Sequence, residues 1–156
     1  MKKITASLCL AGVISLPSLV YARPVTLTTQ LQNYGGNAAF LAFYVTDANG
    51  QYKKTLWVAG KKAKYYKNLR DWARGSGLKS AEFDGVSGAS VGSGSTLKVT
   101  VELADALIDA GYEIRVDSAV EDKRDSPIDV RVPLTTAGAG KPSPGRSYIK
   151  SFTYRM

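Results

Sequence analysis

The sequence of 156 residues contains no histidine and a single cysteine, Cys9, against 21 Lys and Arg and 13 Asp and Glu. Without an imidazole there is no Ser-His-Asp triad, no histidine general base and no His-ligated metal or haem. Long apolar runs are scarce too. The stretch from Ile4 to Val20 is softened by Thr5, Ser7 and Ser15, is broken near its end by Pro17, and falls short of the ~20 residues a spanning helix requires. What remains is an ordinary globular composition, 44% hydrophobic and 22% charged, in a length that suits one domain with a sizeable core.

The N-terminus has the layout of a secretory signal peptide: Lys2 and Lys3, the apolar stretch, then Val20-Tyr21-Ala22 with small residues at the −3 and −1 positions. It predicts residues 1–22 as a cleavable signal and 23–156 as a single domain; the rival reading is an uncleaved anchor. Cys9 follows Leu8, where a lipidated cysteine usually follows Gly or Ala, so it is expected to leave with the signal. Removal of residues 1–22 leaves 19 basic and 13 acidic side chains, a net charge of +6. The exported chain then has neither cysteine nor histidine, which excludes a disulfide scaffold, a thiol oxidoreductase, a Cys-ligated cluster and a covalent c-type haem. Any redox role has to rest on an organic cofactor. Outside the cytoplasm the positive charge points to anionic membrane surfaces, acidic proteins or phosphorylated ligands, and not to nucleic acid.

Seven segments have strand character. Residues 25–32 alternate apolar and polar side chains, 38–46 form a nearly continuous apolar run, and Asp47-Ala48-Asn49-Gly50 supplies a hairpin turn before 52–59. Residues 96–103, 112–120, 128–134 and 148–154 complete the set. Between Lys61 and Arg74, Tyr65, Leu69 and Trp72 recur at i, i+4 and i+7, with Tyr66 widening that face, which predicts one short amphipathic helix closed by Gly75 and Gly77. Gly75 to Gly94 carries six glycines and five serines and reads as a long flexible loop. Many short strands separated by turn signals predict a mainly β fold, an immunoglobulin-like antiparallel β-sandwich with one short helix.

The sharpest local signal lies in that loop: Asp84-Gly85-Val86-Ser87-Gly88-Ala89-Ser90. It resembles the acceptor motif of proteins flavinylated outside the cytoplasm, in which an Asp precedes a hydroxyl residue, Gly, Ala and a second hydroxyl residue. By this resemblance Ser90 is the attachment site for covalent FMN, Ser87, Gly88 and Ala89 are the recognition core, and Asp84 is the upstream acidic position. A separate flavin transferase provides the metal and the base, so the acceptor protein needs no histidine. Position 90 is Ser where most such motifs have Thr.

The order Phe43-Tyr44-Val45-Thr46-Asp47-Ala48-Asn49-Gly50, Lys54-Thr55-Leu56-Trp57, Leu69-Arg70-Asp71-Trp72, Asp84 to Ser90 and Asp109-Ala110-Gly111-Tyr112 resembles an uncharacterised bacterial periplasmic family. Its members are similar to the immunoglobulin-like domain of flagellar hook-capping proteins and tend to accompany PepSY-type membrane proteins and flavin transferases. The resemblance implies an exported, flavin-carrying electron-transfer protein in the periplasm, with a PepSY-type partner. Where relatives carry a second Trp after the helix tryptophan, this chain has Ala73.

Trp57, Trp72, Tyr65 and Tyr66 are candidates to stack on a flavin, against the plainer expectation that Tyr65, Leu69 and Trp72 fill a core. Lys61, Lys62 and Lys64 are candidates to neutralise a phosphodiester, against a solvated strand end. Asp105, Asp109, Asp117, Glu121 and Asp122 offer a weak case for a carboxylate-pair hydrolase and read better as a solvated surface. The stronger rival is a non-redox binding module that docks on a membrane or envelope protein.

Overall fold

The apolar run of the second expected strand alternates between two cores, and the fold follows from that. The structure is a computed structural model that describes residues 21–156. Its strands are β1 (Ala22–Leu31), β2 (Ala39–Thr46), β3 (Tyr52–Ala59), β4 (Ser87–Gly88), β5 (Thr96–Ala104), β6 (Glu113–Val120), β7 (Ser126–Pro133) and β8 (Ile149–Arg155). Residues 1–20 of the expected signal segment, Cys9 among them, lie outside the described residues. Two sheets face each other, one ordered β5-β1-β8 and the other β4-β3-β2-β6-β7. Every pairing of named strands is antiparallel except that of β3 with β4. The mainly β sandwich expected from the sequence is the observed architecture.

Leu41, Phe43 and Val45 of β2 point between the sheets and meet Leu27 and Leu31 of β1, Ile114 and Val116 of β6 and Phe152 of β8. Each large side chain buried there contributes roughly 1.5–3 kcal/mol. Ala42 and Tyr44 point the other way, into a second, smaller core with Val58, Tyr66, Leu69, Trp72 and Ala119. β2 is therefore apolar on both faces because both faces are covered.

The cover on the outer face is not the single helix the spacing predicts. Ala63–Asn68 is a 3-10 turn and Arg70–Ser76 is an α-helix, α1, with Leu69 at φ −84°, ψ 76° between them. A 3-10 turn repeats about every three residues. Tyr66, Leu69 and Trp72, three apart, accordingly share the buried face, while Tyr65 is left half-exposed. Gly77 closes α1 in the left-handed conformation (φ 64°), donating its N–H to Ala73 O at 3.0 Å. The backbone N–H of Trp72 donates to Asp117 Oδ2 at 2.8 Å and its indole Nε1 to Thr55 Oγ1 at 2.9 Å, so α1 is pinned to β6 and β3.

Two further expectations are corrected. The stretch from Gly75 to Gly94 is stitched down rather than free. It forms a 3-10 turn at Ser80–Glu82, places Phe83 edge-on to Tyr66 at 5.1 Å between centroids, and adds β4 to the sheet. Composition pointed to a loop because glycine and serine carry little apolar surface, yet one aromatic and one valine, Val91, suffice to anchor it. Asp117, expected on a solvated surface, is fully buried. It accepts hydrogen bonds from Tyr44 Oη (2.7 Å), Trp72 N and Ile128 N (2.8 Å each), and those partners sit on three different elements.

Candidate functional site

The expected acceptor segment is a short bow tied at both ends. On one side β4 pairs in parallel with β3, Ser87 opposite Val58 and Gly88 opposite Ala59. Val58 N donates to Val86 O at 2.9 Å and Gly60 N to Gly88 O at 2.7 Å. On the other side Ala39 and Val91 exchange both backbone hydrogen bonds, at 2.7 and 2.9 Å. Only Ala89 and Ser90 bridge the two anchor points. Glycine suits position 88 for a steric reason, since a Cβ there would stand 2.7 Å from Trp57 Cζ2 and force a shift. Asp84 and Ser87 are exposed, Asp84 having its N–H on Ser80 O at 2.8 Å.

Ala89 and Ser90 form one wall of a groove of about 350 Å³ whose other walls include Phe40, Lys61, Lys62, Tyr65 and Glu121. The Ser90 hydroxyl makes no side-chain hydrogen bond among the described residues, so nothing there activates it as a nucleophile or ties it down. Lys61 and Lys62 are exposed and form no ion pair among the described residues. The apolar wall is an edge-to-face pair, Phe40 and Tyr65, with centroids 5.4 Å apart. Lys64 Nζ lies 5.0 Å from the centre of the Tyr65 ring, a cation-π contact, and the Tyr65 hydroxyl donates to Glu121 at 3.2 Å.

A sequence model named DUF2271, described as a predicted periplasmic protein, matches residues 22–151. The chain belongs to that family. The matched span of this DUF2271 protein runs from the first residue of β1 into β8 and takes in every residue of the groove. No curated protein and no solved structure matches the chain.

In this DUF2271 chain the structure sorts the aromatic candidates cleanly. Tyr66 and Trp72 are committed to the second core, and the Tyr66 hydroxyl is spent on Gly60 O at 2.6 Å. Burial pushes that phenol above its ordinary value. Trp57 packs against the main core under Gly88, with its indole N–H buried and without a partner among the described residues. Of the four, Tyr65 alone lines the groove. Phe40 and Glu121 were not singled out from the sequence as its partners. Phe40 stands in a run whose neighbours are all core, and only the outward phase of β2 distinguishes it. Of the candidate carboxylates, Asp105 pairs with Arg23 at 2.6 Å and Asp109 accepts two hydrogen bonds from Thr136, far from Asp117 in role and surroundings. They form no catalytic pair.

Proposed function

We propose that this DUF2271 protein is exported by cleavage of residues 1–22 and carries FMN as a phosphoester of Ser90, serving as a periplasmic electron carrier for a PepSY-type membrane partner. The observation that supports the reading is the wall of the groove: a hydroxyl without a side-chain hydrogen bond stands with two lysines that form no ion pair, among the described residues, and an aromatic pair. Those residue types fit the group. Lys61 and Lys62 are suited to a phosphodiester anion, and the Phe40 and Tyr65 rings to the edge of a flat heteroaromatic.

Attachment needs FAD and a flavin transferase. The Ser90 Oγ–P bond forms as the pyrophosphate bond of FAD breaks, AMP leaves, and the hydroxyl proton passes to a base of the transferase. When bound, the flavin supplies the electron transfer, which no side chain of an exported segment without cysteine or histidine provides. Co-expression with a flavin transferase is expected to give a band that fluoresces under ultraviolet light on a denaturing gel and a mass gain of one FMN. Ser90→Ala should abolish both; persistence of either in that variant removes Ser90 from the reading.

One observation favours a second reading, a non-redox binding module. Ser87 and Gly88 are paired into a sheet edge, which restrains the segment from entering another enzyme's cleft. A chain that docks on its membrane partner but never gains the mass of FMN would establish that alternative.

A further inference from the structure

Charge is distributed unevenly over the chain. Between Lys61 and Lys79 there are five lysines and two arginines against one acidic residue, Asp71. This segment is the helical cover of the five-stranded sheet, and all seven basic side chains are exposed while Tyr66, Leu69 and Trp72 turn inward. Asp71 does little to neutralise them. It is half-buried, with Arg74 at 3.5 Å and Arg115, a residue of β6 rather than of the cover, at 3.3 Å. The other acidic groups along the border are Glu82, which accepts from Tyr52, Glu121, which accepts from Tyr65, Asp125, beside Asn68, and the exposed Asp84. Among the described residues none of these four pairs with a cation of the cover.

We propose that this helical cover is a docking face for an anionic lipid bilayer. Two features favour lipid over an acidic protein. Protein interfaces concentrate aromatic side chains and arginine in their centre and are depleted in lysine, whereas this face is lysine-rich and two of its three aromatics, Tyr66 and Trp72, are packed inward, with Tyr65 half-exposed. Leu78, at the end of the cover with a positive φ of 54°, is the one large apolar side chain exposed on it, 38% accessible, and suits shallow insertion among headgroups. A face of this kind holds by summed attraction, each Lys or Arg at an anionic surface contributing about fivefold in partition, and it weakens within a Debye length as salt is raised. The inference does not rest on Ser90 or on flavin.

The test uses protein purified from the periplasm of an expressing bacterium and co-sedimented with vesicles of phosphatidylcholine alone or mixed with phosphatidylglycerol. Sedimentation is expected with the anionic vesicles only, and to be reversed by salt. The variant Lys61→Gln/Lys62→Gln/Lys64→Gln/Lys67→Gln should bind at least about tenfold more weakly. The matched variant Lys98→Gln/Lys141→Gln/Lys150→Gln/Arg155→Gln, which removes the same charge from the exposed surface elsewhere, should bind as the parent does, and so should Ser90→Ala. Equal loss in the two quadruple variants would mean that net charge, not this face, is responsible. Failure to sediment with anionic vesicles at low salt overturns the proposal, and binding to soluble polyglutamate with no binding to vesicles would reassign the face to an acidic protein.

Discussion

Tyr44 and Asp117 meet across β2 and β6, phenol oxygen to carboxylate oxygen at 2.7 Å, and the same phenol stands 2.6 Å from Asp71 Oδ2 on α1. One hydroxyl carries one hydrogen, so the two carboxylates compete for it. Asp71 pairs with Arg115 at 3.3 Å, whereas Asp117 is fully buried with no cation in contact among the described residues, and burial raises its pKa.

A raised pKa in the folded state means that folding takes up a proton. Stability from this group is fully present below its unfolded value of about 4 and drains away as pH rises from there through the raised native value. Asp117→Asn keeps one acceptor but leaves Trp72 N–H or Ile128 N–H facing an amide nitrogen, a loss of about 1–3 kcal/mol. Denaturant unfolding between about pH 4 and pH 8 should show the variant less stable at the acid end but with a flatter pH dependence than the parent. Parallel curves would place the proton elsewhere.

Asp129 organises the turn that leads into β8. Its Oδ1 accepts from the N–H groups of Arg146 (2.6 Å) and Ser147 (2.8 Å), its Oδ2 from Ser118 Oγ (2.6 Å), Tyr148 N (3.0 Å) and Ile149 N (3.2 Å). Whichever way an amide is turned, Asp129→Asn confronts donors with a donor. A loss of about 3 kcal/mol or more is expected in unfolding experiments, with hydrogen exchange accelerated first at residues 146–149.

Gly88→Ala tests the steric tie between β4 and Trp57. The new Cβ would lie 2.7 Å from Trp57 Cζ2, so the indole or the edge strand has to move, at a cost of about 1–3 kcal/mol. Tryptophan fluorescence should shift with it. Adding Trp57→Phe, which removes the obstructing atom, should recover part of the lost stability; no recovery would show that the glycine serves something other than the indole.

Ser90→Ala is expected to leave folding stability within about 0.5 kcal/mol of the parent, because the hydroxyl has no side-chain partner to lose among the described residues. Thermal unfolding of unmodified protein measures this. A larger drop would make the hydroxyl structural and weaken any reading of loss-of-flavin data on that variant.

Period-two alternation and turn chemistry place seven strands within a few residues of their observed bounds, because a strand that buries one face has to alternate and a tight turn demands its own residues. Asp47 shows the latter directly, accepting from Asn49 N and Gln51 N at 2.9 Å each to close the hairpin. The helical cover is less transparent. A period of 3.6 and a period of 3 differ by one position over a single turn, and only contact with the sheet selected Tyr66 over Tyr65.

The amino-acid sequence alone determined that residues 23–156 have no thiol and no imidazole, that they are mainly β, and that their hydroxyl-bearing motif and their lysines lie where they do along the chain. Tertiary structure decided what those residues are beside. The glycine- and serine-rich stretch became a sheet edge because Val91 and Phe83 found cores to enter. Asp117, indistinguishable by pattern from the other candidate carboxylates, became a buried hydrogen-bonded centre because its strand is covered on both faces. Ser90 came to share a groove with Lys61, Lys62, Phe40 and Tyr65 because β3 carries the lysines past the bow at which β4 ends. Local composition sets what each residue can do; burial and hydrogen-bond partners, which depend on contacts far apart in sequence, set which of those things it does.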